Sequence, residues 1–164
     1  MQKKLKKLWR IWFIKKNIKV LHVIPNLALG GAERQLLELV SQNPSHVICQ
    51  LLPKNMSDKN SFKASYSLNM VRKFPDIRAL YRLNNIIDKV KPDIIHTWMY
   101  HSSLLEVIRR KFSSKNDIPL IWGLRCSNMD VKQYSIQLNL IIKCCSYFSS
   151  IPKLIINNSY QGKS

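Results

Sequence analysis

Short apolar runs alternate with longer amphipathic segments from about residue 19 onwards. The runs are rich in β-branched side chains, as is typical of covered parallel strands, and they span residues 20–24, 47–52, 93–97, 118–122 and 154–156. Between them, apolar side chains recur every three or four residues, which predicts helices packed on a sheet. This order predicts an α/β fold, a single Rossmann-like, doubly wound parallel sheet with right-handed crossovers.

The helical periodicity also predicts which side chains face the sheet. After the first strand the predicted buried positions are Ala32, Leu36, Leu39 and Val40. In the next two helices they are Ile77, Leu80, Leu83, Ile87 and Val90, and then Leu104, Leu105, Ile108 and Phe112. A last apolar helix covers residues 136–148, and the polar stretch 54–67 is predicted to be a surface excursion.

In a doubly wound sheet the ligand crevice lies outside the carboxyl ends of the strands. Gly30 and Gly31 follow the first strand and open a helix whose free N–H groups favour an anion. Glycines there adopt backbone angles closed to other residues and let a ligand approach the main chain. The competing interpretation is that a strand-to-helix connection needs glycine only to turn, and that Glu33 merely complements the helix dipole.

Other polar side chains follow later strands and are predicted to reach the same edge. His101 is the candidate catalytic residue, because an imidazole exchanges protons near neutral pH, and the alternative is that it is a structural histidine. Arg125 and Ser127 follow Gly123, which is predicted to turn the chain, and the Arg125 guanidinium could clamp a phosphate or carboxylate. His96 is predicted to be structural, and Arg125 could equally be an ordinary surface arginine. No ligand spacing predicts a metal site.

Charge limits the kinds of partner. The chain of 164 residues has 27 Lys and Arg against 9 Asp and Glu, a net charge of +18 and a pI near 10.1. Such a surface attracts phosphates on lipids, nucleotides or nucleic acid, although many of the lysines are simply solvated. Aromatic and basic residues do not interleave along the predicted strands, and no nucleic-acid motif is present, which argues against nucleic acid.

Residues 1–17 form a separate basic arm, and residues 18–164 form the domain. The arm has no acidic residue, and Leu5, Leu8, Trp9, Trp12 and Phe13 fall near helical spacing. This pattern is typical of an interfacial helix on an anionic membrane surface. The alternative is a tail whose aromatic side chains pack on the domain or on a partner. Because Arg10 interrupts the apolar stretch, neither a transmembrane helix nor a signal peptide fits.

Four cysteines, Cys49, Cys126, Cys144 and Cys145, lack metal-ligand spacing. With no secretory signal, they are predicted to be reduced thiols in a cytoplasmic protein, one that is peripheral on the inner membrane face if the arm binds lipid.

Four segments in order carry a resemblance to a known family: PNLALGGAERQLLELV, KPDIIHTWMYHSSLLEVIRR, IPLIWGLRCSNMD and PKLIINNSYQG. Together they resemble the N-terminal domain of family 4 GT-B glycosyltransferases, from about Lys19 to Gly162. The resemblance implies one half of a GT-B fold, in which the N-terminal domain holds mainly the acceptor and the C-terminal domain holds the nucleotide-sugar donor. It implies sugar transfer to a cell-envelope glycan or lipid-linked acceptor, with no metal and no other cofactor.

By this resemblance, Gly30 and Gly31 match the glycine loop that approaches the donor diphosphate. His101 and Arg125 match polar positions that line the cleft, and Ser127 lies beside Arg125. Many relatives carry His-x-His at the strand end, but Trp98 stands at the second position here. The role of that histidine is therefore either lost or taken by His101.

The resemblance stops where relatives continue into the donor domain. A half-site can hold an acceptor but cannot position a donor, because transfer requires both reactants to be held together. We therefore expect little or no transferase activity from this polypeptide alone, and a separate donor-domain chain is a possible partner. The alternatives are a non-catalytic domain that binds a glycan or nucleotide, or a basic domain that binds nucleic acid.

Overall fold

The computed structural model of the protein describes residues 18–28, 30–53, 65–71, 76–113, 117–124 and 135–157. Six parallel strands form one sheet: β1 Val20–Ile24, β2 His46–Gln50, β3 Ser65–Ser67, β4 Ile94–Trp98, β5 Leu120–Leu124 and β6 Leu154–Asn157. Their order across the sheet is β3-β2-β1-β4-β5-β6. The helices are α1 Gly31–Ser41, α2 Ile77–Val90, α3 Met99–Lys111 and α4 Ile136–Tyr147. The predicted Rossmann-like parallel sheet is therefore confirmed.

One strand was missed by the sequence pattern. The predicted surface excursion includes β3, which pairs in parallel with β2 through Ile48 and Ser65, Cys49 and Tyr66, and Gln50 and Ser67. Its sequence, Ser-Tyr-Ser, has no apolar run, because a short edge strand is only half-buried and carries little of the core. The rest of the predicted excursion, residues 54–64, lies outside the described residues.

Local capping fixes the ends of the helices. The Asp76 carboxylate accepts the backbone N–H of Arg78 at the start of α2, and the Ser135 hydroxyl accepts that of Leu138 in α4. At the far end of α2, Lys91 adopts left-handed angles, with φ 49°, and its N–H closes on the carbonyl of Ile87. Helices α1 and α3 begin without a side-chain cap.

Two clusters of apolar side chains cover opposite faces of the sheet. The cluster under α1 contains Ile24, Leu36, Val40, Ile48 and Trp98. The larger cluster on the opposite face includes side chains from β1, β2, β4 and β5 and from the other three helices, among them Leu21, Val23, Ile95, Leu83, Val107 and Cys145. The fold is therefore doubly wound, with α1 on one face and α2, α3 and α4 on the other.

The predicted buried faces hold for α1 and for most of α2. In α2 the fully buried residues include Leu83, Ile87 and Val90, whereas Ile77 is 80% exposed. In α3 the prediction holds in part. Leu104 and Leu105 are half-buried and pack against the larger cluster, whereas Phe112 is 80% exposed, and Ser103, Glu106 and Arg109 are fully buried.

Helix α3 buries charged residues because they pair with one another. The Arg109 guanidinium donates to both carboxylate oxygens of Glu106, at 2.8 and 2.7 Å, and its third nitrogen donates to the amide oxygen of Asn84 in α2, at 2.8 Å. Arg110 also donates to Glu106, at 3.0 Å, and reaches the carbonyl of Ile118 just before β5. This network, called the Glu106 cluster below, joins α3 to α2 and to the start of β5.

Gly123 serves packing rather than a turn, contrary to the prediction. It lies inside β5, opposite Trp98 of β4. A Cβ added at Gly123 would lie 2.9 Å from Nε2 of His96 and 3.4 Å from the carbonyl oxygen of Thr97. The imidazole of His96 thus occupies the space that any side chain at position 123 would need.

Replacing Gly123 by alanine is expected to lower the free energy of unfolding by about 1 to 3 kcal/mol, because the new methyl group overpacks against His96. Chemical denaturation of the Gly123→Ala variant measures this loss. In the His96→Ala background the same substitution is expected to lower the free energy of unfolding by a clearly smaller amount. Equal costs in both backgrounds would show that the imidazole is not what requires glycine.

None of the helices in the described part of the chain is long and apolar enough to cross a membrane. Three of the four cysteines are described, and all three are free thiols: Cys49, Cys144 and Cys145. Burial, together with neighbouring Cys144, raises the pKa of the Cys145 thiol to about 12.

Candidate functional site

The carboxyl ends of β1 and β4 lie side by side in the sheet and form the candidate site. The segment after β1 is held to β2, because the backbone N–H of Leu27 donates to the buried amide oxygen of Gln50, at 3.2 Å. Asn26 closes a local turn by accepting the N–H of Ala28, at 3.3 Å. The chain then enters α1 through its N-cap, Gly30.

The two glycines of this connection have different surroundings. Gly30 is the N-cap of α1 in extended conformation, with φ −147°, and no described glycine has a positive φ. The predicted need for unusual backbone angles is therefore wrong. A Cβ on Gly30 would lie 2.3 Å from a carboxylate oxygen of Glu33, whereas a Cβ on Gly31 would meet no described residue within 4 Å. Among the described residues, Gly31 therefore faces open space.

Glu33 folds back over the start of α1. Its side chain is buried in the first helical turn, beside Gly30. A carboxylate near a helix N-terminus is favoured by the helix dipole. The chain thus supplies its own negative charge at this helix end, and a bound diphosphate would have to displace Glu33 or lie beside Gly31.

The junction between β4 and α3 makes the neighbouring wall of the site. Met99 follows β4 directly and has φ 66°, a left-handed conformation that is strained for a residue other than glycine. The hydroxyls of Thr97 and Ser103 lie 2.9 Å apart, and Ser103 also donates to the carbonyl of Met99, at 3.1 Å. These buried hydrogen bonds hold the first turn of α3 against the strand end. No glycine or asparagine in the sequence signals this strained turn.

His101 lies in the first turn of α3 and is exposed. Partial desolvation lowers the pKa of His101 below its ordinary value. The imidazole is therefore neutral at pH 7 and can accept a proton or a hydrogen bond from a hydroxyl group. His101 thus lies after the end of β4, as predicted, and its neutral imidazole can act as a proton acceptor.

Trp98 does not reach the site. It is 2% exposed, and its indole N–H donates to Nδ1 of His22, at 3.1 Å. The tryptophan at the second position of the strand-end pattern therefore packs under α1 and offers no group to a ligand. His96 lies in mid-strand with its ring 4.8 Å from that of Trp98, which agrees with its predicted structural role.

Three histidines and Trp98 form a cluster inside the α1 side of the sheet. His22 Nε2 lies 3.0 Å from His46 Nδ1, and the His22 and His96 ring centroids are 5.3 Å apart. Because an indole N–H can only donate, Nδ1 of His22 accepts and its proton sits on Nε2. Burial first, and then His96 and His46, lower the pKa of His22 to about 3. Only the strand alternation could have predicted this cluster, because the three histidines are far apart along the chain.

No group of three or more His, Cys, Asp or Glu side chains that could hold a metal ion occurs among the residues whose structure is described. His46 lies at the start of β2, and therefore at the amino ends of the parallel strands, whereas the candidate site lies at their carboxyl ends.

Of the predicted site residues, the structure brings Gly30, Gly31 and His101 to neighbouring strand ends. Arg125 and Ser127 lie outside the described residues, as does the basic arm of residues 1–17.

No family model matches the sequence, and no curated protein matches it either. Among solved structures, the chain is similar to a UDP-N-acetylglucosamine 2-epimerase from Rickettsia bellii, with a TM-score of 0.55 and 13% identity over 88% of this chain. The chain spans 39% of the length of that protein. At this identity the likeness shows the fold, which is a GT-B-like Rossmann fold.

Proposed function

We propose that the chain is the acceptor-side half of a family 4 GT-B glycosyltransferase. The observation that carries the proposal is the meeting of two parallel strand ends at one edge. There Gly31, the first residue of α1, has open space among the described residues, and the exposed His101, whose pKa is lowered by partial desolvation, lies in the first turn of α3. The GT-B-like fold and the resemblance of GGAER, HTWMYH and WGLRCSNMD, in this order, to that family support the same proposal.

In this proposal the nucleotide-sugar diphosphate approaches the main chain at Gly31. His101 accepts the proton of an acceptor hydroxyl as its oxygen bonds to the anomeric carbon and the nucleoside diphosphate leaves. The acceptor is a cell-envelope glycan or a lipid-linked sugar. Arg125 and Ser127, which follow β5 in the sequence, are proposed as further anion ligands.

The reaction needs a second set of binding residues, because a donor must be held in line with the acceptor. We propose that a donor-binding domain supplies these residues, either in the same polypeptide or as a separate chain. Alone, the acceptor-side half binds ligands weakly and transfers little or no sugar.

The test is the binding of uridine diphosphate and UDP-N-acetylglucosamine to the full chain and to its Gly31→Ala variant, measured by calorimetry. A methyl group at position 31 meets no atom of the described residues, and alanine is the better helix former, so the variant should be as stable or about 0.5 to 1 kcal/mol more stable. Its affinity for both diphosphates should fall at least roughly fivefold, about 1 kcal/mol, because the methyl group fills the approach to the backbone.

Uridine, which lacks the diphosphate, serves as the matched control ligand and should bind the two proteins equally. Equal diphosphate affinity in both proteins would contradict the proposal and would leave Gly31 as a residue that only connects strand and helix.

A further inference from the structure

The N-terminus of α1 lies at the candidate site and offers backbone N–H groups to an anion. Gly30 is the N-cap of this helix of 11 residues, and no side chain caps its first turn. The N–H of Arg34 donates to the carbonyl of Gly30, at 3.1 Å, and closes the first intrahelical hydrogen bond. The N–H groups of Gly31, Ala32 and Glu33 come before it and have no carbonyl one turn earlier in the helix. They are the groups that an anion would contact.

The Glu33 carboxylate already lies at this helix end. A Cβ placed on Gly30 would be 2.3 and 3.3 Å from its two oxygens, so both oxygens lie beside the N-cap. Glu33 is only 9% exposed. Within the described ranges, no basic side chain pairs with this carboxylate and no hydrogen bond is donated to it. Burial of a carboxylate without partners costs free energy, and the positive end of the α1 dipole is the compensation that the fold offers.

A diphosphate is a stronger ligand than a carboxylate for the same helix end. It carries more negative charge and more acceptor oxygens, and backbone N–H groups at a helix N-terminus bind such oxygens well. The two anions cannot occupy this place together, because like charges in contact at a partly buried position repel each other strongly. Binding of a diphosphate at the first turn of α1 therefore requires that the Glu33 carboxylate leave it.

The Glu33 side chain can leave without disturbing the fold. Gly30, which lies beside its carboxylate, is exposed, and so is Gly31. Rotation about the side-chain bonds of Glu33 therefore brings the carboxylate to solvent. The residues that hold α1 on the sheet, Leu36 and Val40, lie further along the helix and are not affected by this rotation.

We propose that Glu33 is an internal competitor of the diphosphate: its carboxylate occupies the N-terminus of α1 in the free protein, and a diphosphate binds there by displacing it. This inference rests on the proposed function, which brings a nucleotide-sugar diphosphate to this helix end. The observed affinity is lowered, because the ligand binds only those molecules in which the carboxylate has moved away. A nucleotide sugar, which makes further contacts, displaces Glu33 more readily than inorganic phosphate does.

Calorimetric titration of the full chain with uridine diphosphate tests this, at about 0.15 M salt, where charges on the basic surface are largely screened. The substitution Glu33→Gln keeps the size of the side chain and removes its charge. We expect the affinity of this variant for uridine diphosphate to be at least roughly tenfold higher than that of the unaltered chain, because the competing anion is gone. A variant that folds poorly would lose affinity, so a folding defect cannot produce this gain.

The matched control variant is Glu38→Gln. Glu38 lies in the same helix and is exposed, and its substitution makes the same change in net charge. The affinity for uridine diphosphate should change by less than about twofold, because an exposed charge further along the helix is screened by salt. Uridine, which has no phosphate, should bind equally to the unaltered chain and to both variants.

The outcomes separate this inference from the proposed function. If uridine diphosphate binds the unaltered chain and binds Glu33→Gln no more tightly, displacement is wrong and the proposed function stands. An equal gain in Glu33→Gln and Glu38→Gln would also overturn displacement, since net charge alone would explain it. Binding to Glu33→Gln but not to the unaltered chain would support displacement and contradict the proposed function. A lack of binding to all three proteins would overturn both.

Discussion

Acidification from pH 7 to pH 5 is expected to destabilise the domain by about 2 kcal/mol through His22 alone. The folded pKa of His22 is about 3, against 6.5 for an ordinary histidine. The unfolded chain therefore binds a proton in this range that the folded chain does not. A lowered histidine pKa means that stability is present above pH 6.5 and is lost as the pH falls toward 3.

The structure explains why His22 resists protonation. It is 1% exposed, it lies beside two further imidazoles, and its Nδ1 accepts the indole N–H of Trp98. A second proton would sit on Nδ1 and face that indole donor, so the hydrogen bond would be lost. The lowered pKa values of His46 and His101 act in the same direction.

Urea unfolding at several pH values between 7 and 5 measures how the free energy of unfolding changes with pH. The His22→Gln variant keeps one acceptor for Trp98 and one donor for His46, and should lose most of the pH dependence. The control variant His101→Gln changes an exposed imidazole and should retain most of it. If the stability of the His22→Gln variant depended on pH as strongly as that of the unaltered protein, the assignment of this pH dependence to His22 would be refuted.

Breaking the Glu106 cluster is expected to have the largest effect of any single substitution considered. The side chains of Glu106 and Arg109 are both 0% exposed. Substituting Glu106→Leu leaves the guanidinium of Arg109 buried without its partner, which costs about 3 to 5 kcal/mol. Chemical denaturation should show this loss, and α3 should be displaced because the cluster ties it to α2 and to the start of β5.

A second substitution separates the loss of a pair from the burial of a lone charge. The double variant Glu106→Leu with Arg109→Met should be more stable than the Glu106→Leu variant, because two apolar side chains replace the pair. Arg78→Met is the matched control: Arg78 pairs with Asp76 at 3.5 Å but is 88% exposed, so its loss should change stability by less than about 0.5 kcal/mol. If Arg109→Met lowered the free energy of unfolding as little as Arg78→Met, the Glu106 cluster would not stabilise the fold.

The sequence pattern was sufficient for the central strands and for the order of the helices. Strands buried on both faces are mostly apolar, as in β1, where His22 is the one polar residue, so their composition identifies them. The pattern was insufficient for β3, because a three-residue edge strand of sequence Ser-Tyr-Ser resembles a loop. For α3 it was only partly right, because pairing between Glu106 and Arg109 allowed charged positions to replace apolar ones in the interior.

The candidate site was predictable in its place but not in its local geometry. Gly31 and His101 could be assigned to strand ends from the alternation of elements. The backbone angles of Gly30, the fold-back of Glu33 and the packing of His96 against Gly123 depend on contacts between elements, which periodicity does not encode. The strained Met99 is likewise set by hydrogen bonds from Ser103 and not by its own residue type.

The most direct test of the proposed site is an NMR titration of the full chain with UDP-N-acetylglucosamine, in which the amide of Gly31 and the imidazole of His101 are observed. His46 is an internal control of the same residue type at the amino ends of the strands, away from the candidate site. We predict that Gly31 and His101 shift together along one binding curve while His46 does not move. Shifts centred on His46, or none at all at saturating nucleotide sugar, would contradict a sugar-nucleotide site at the carboxyl ends of β1 and β4.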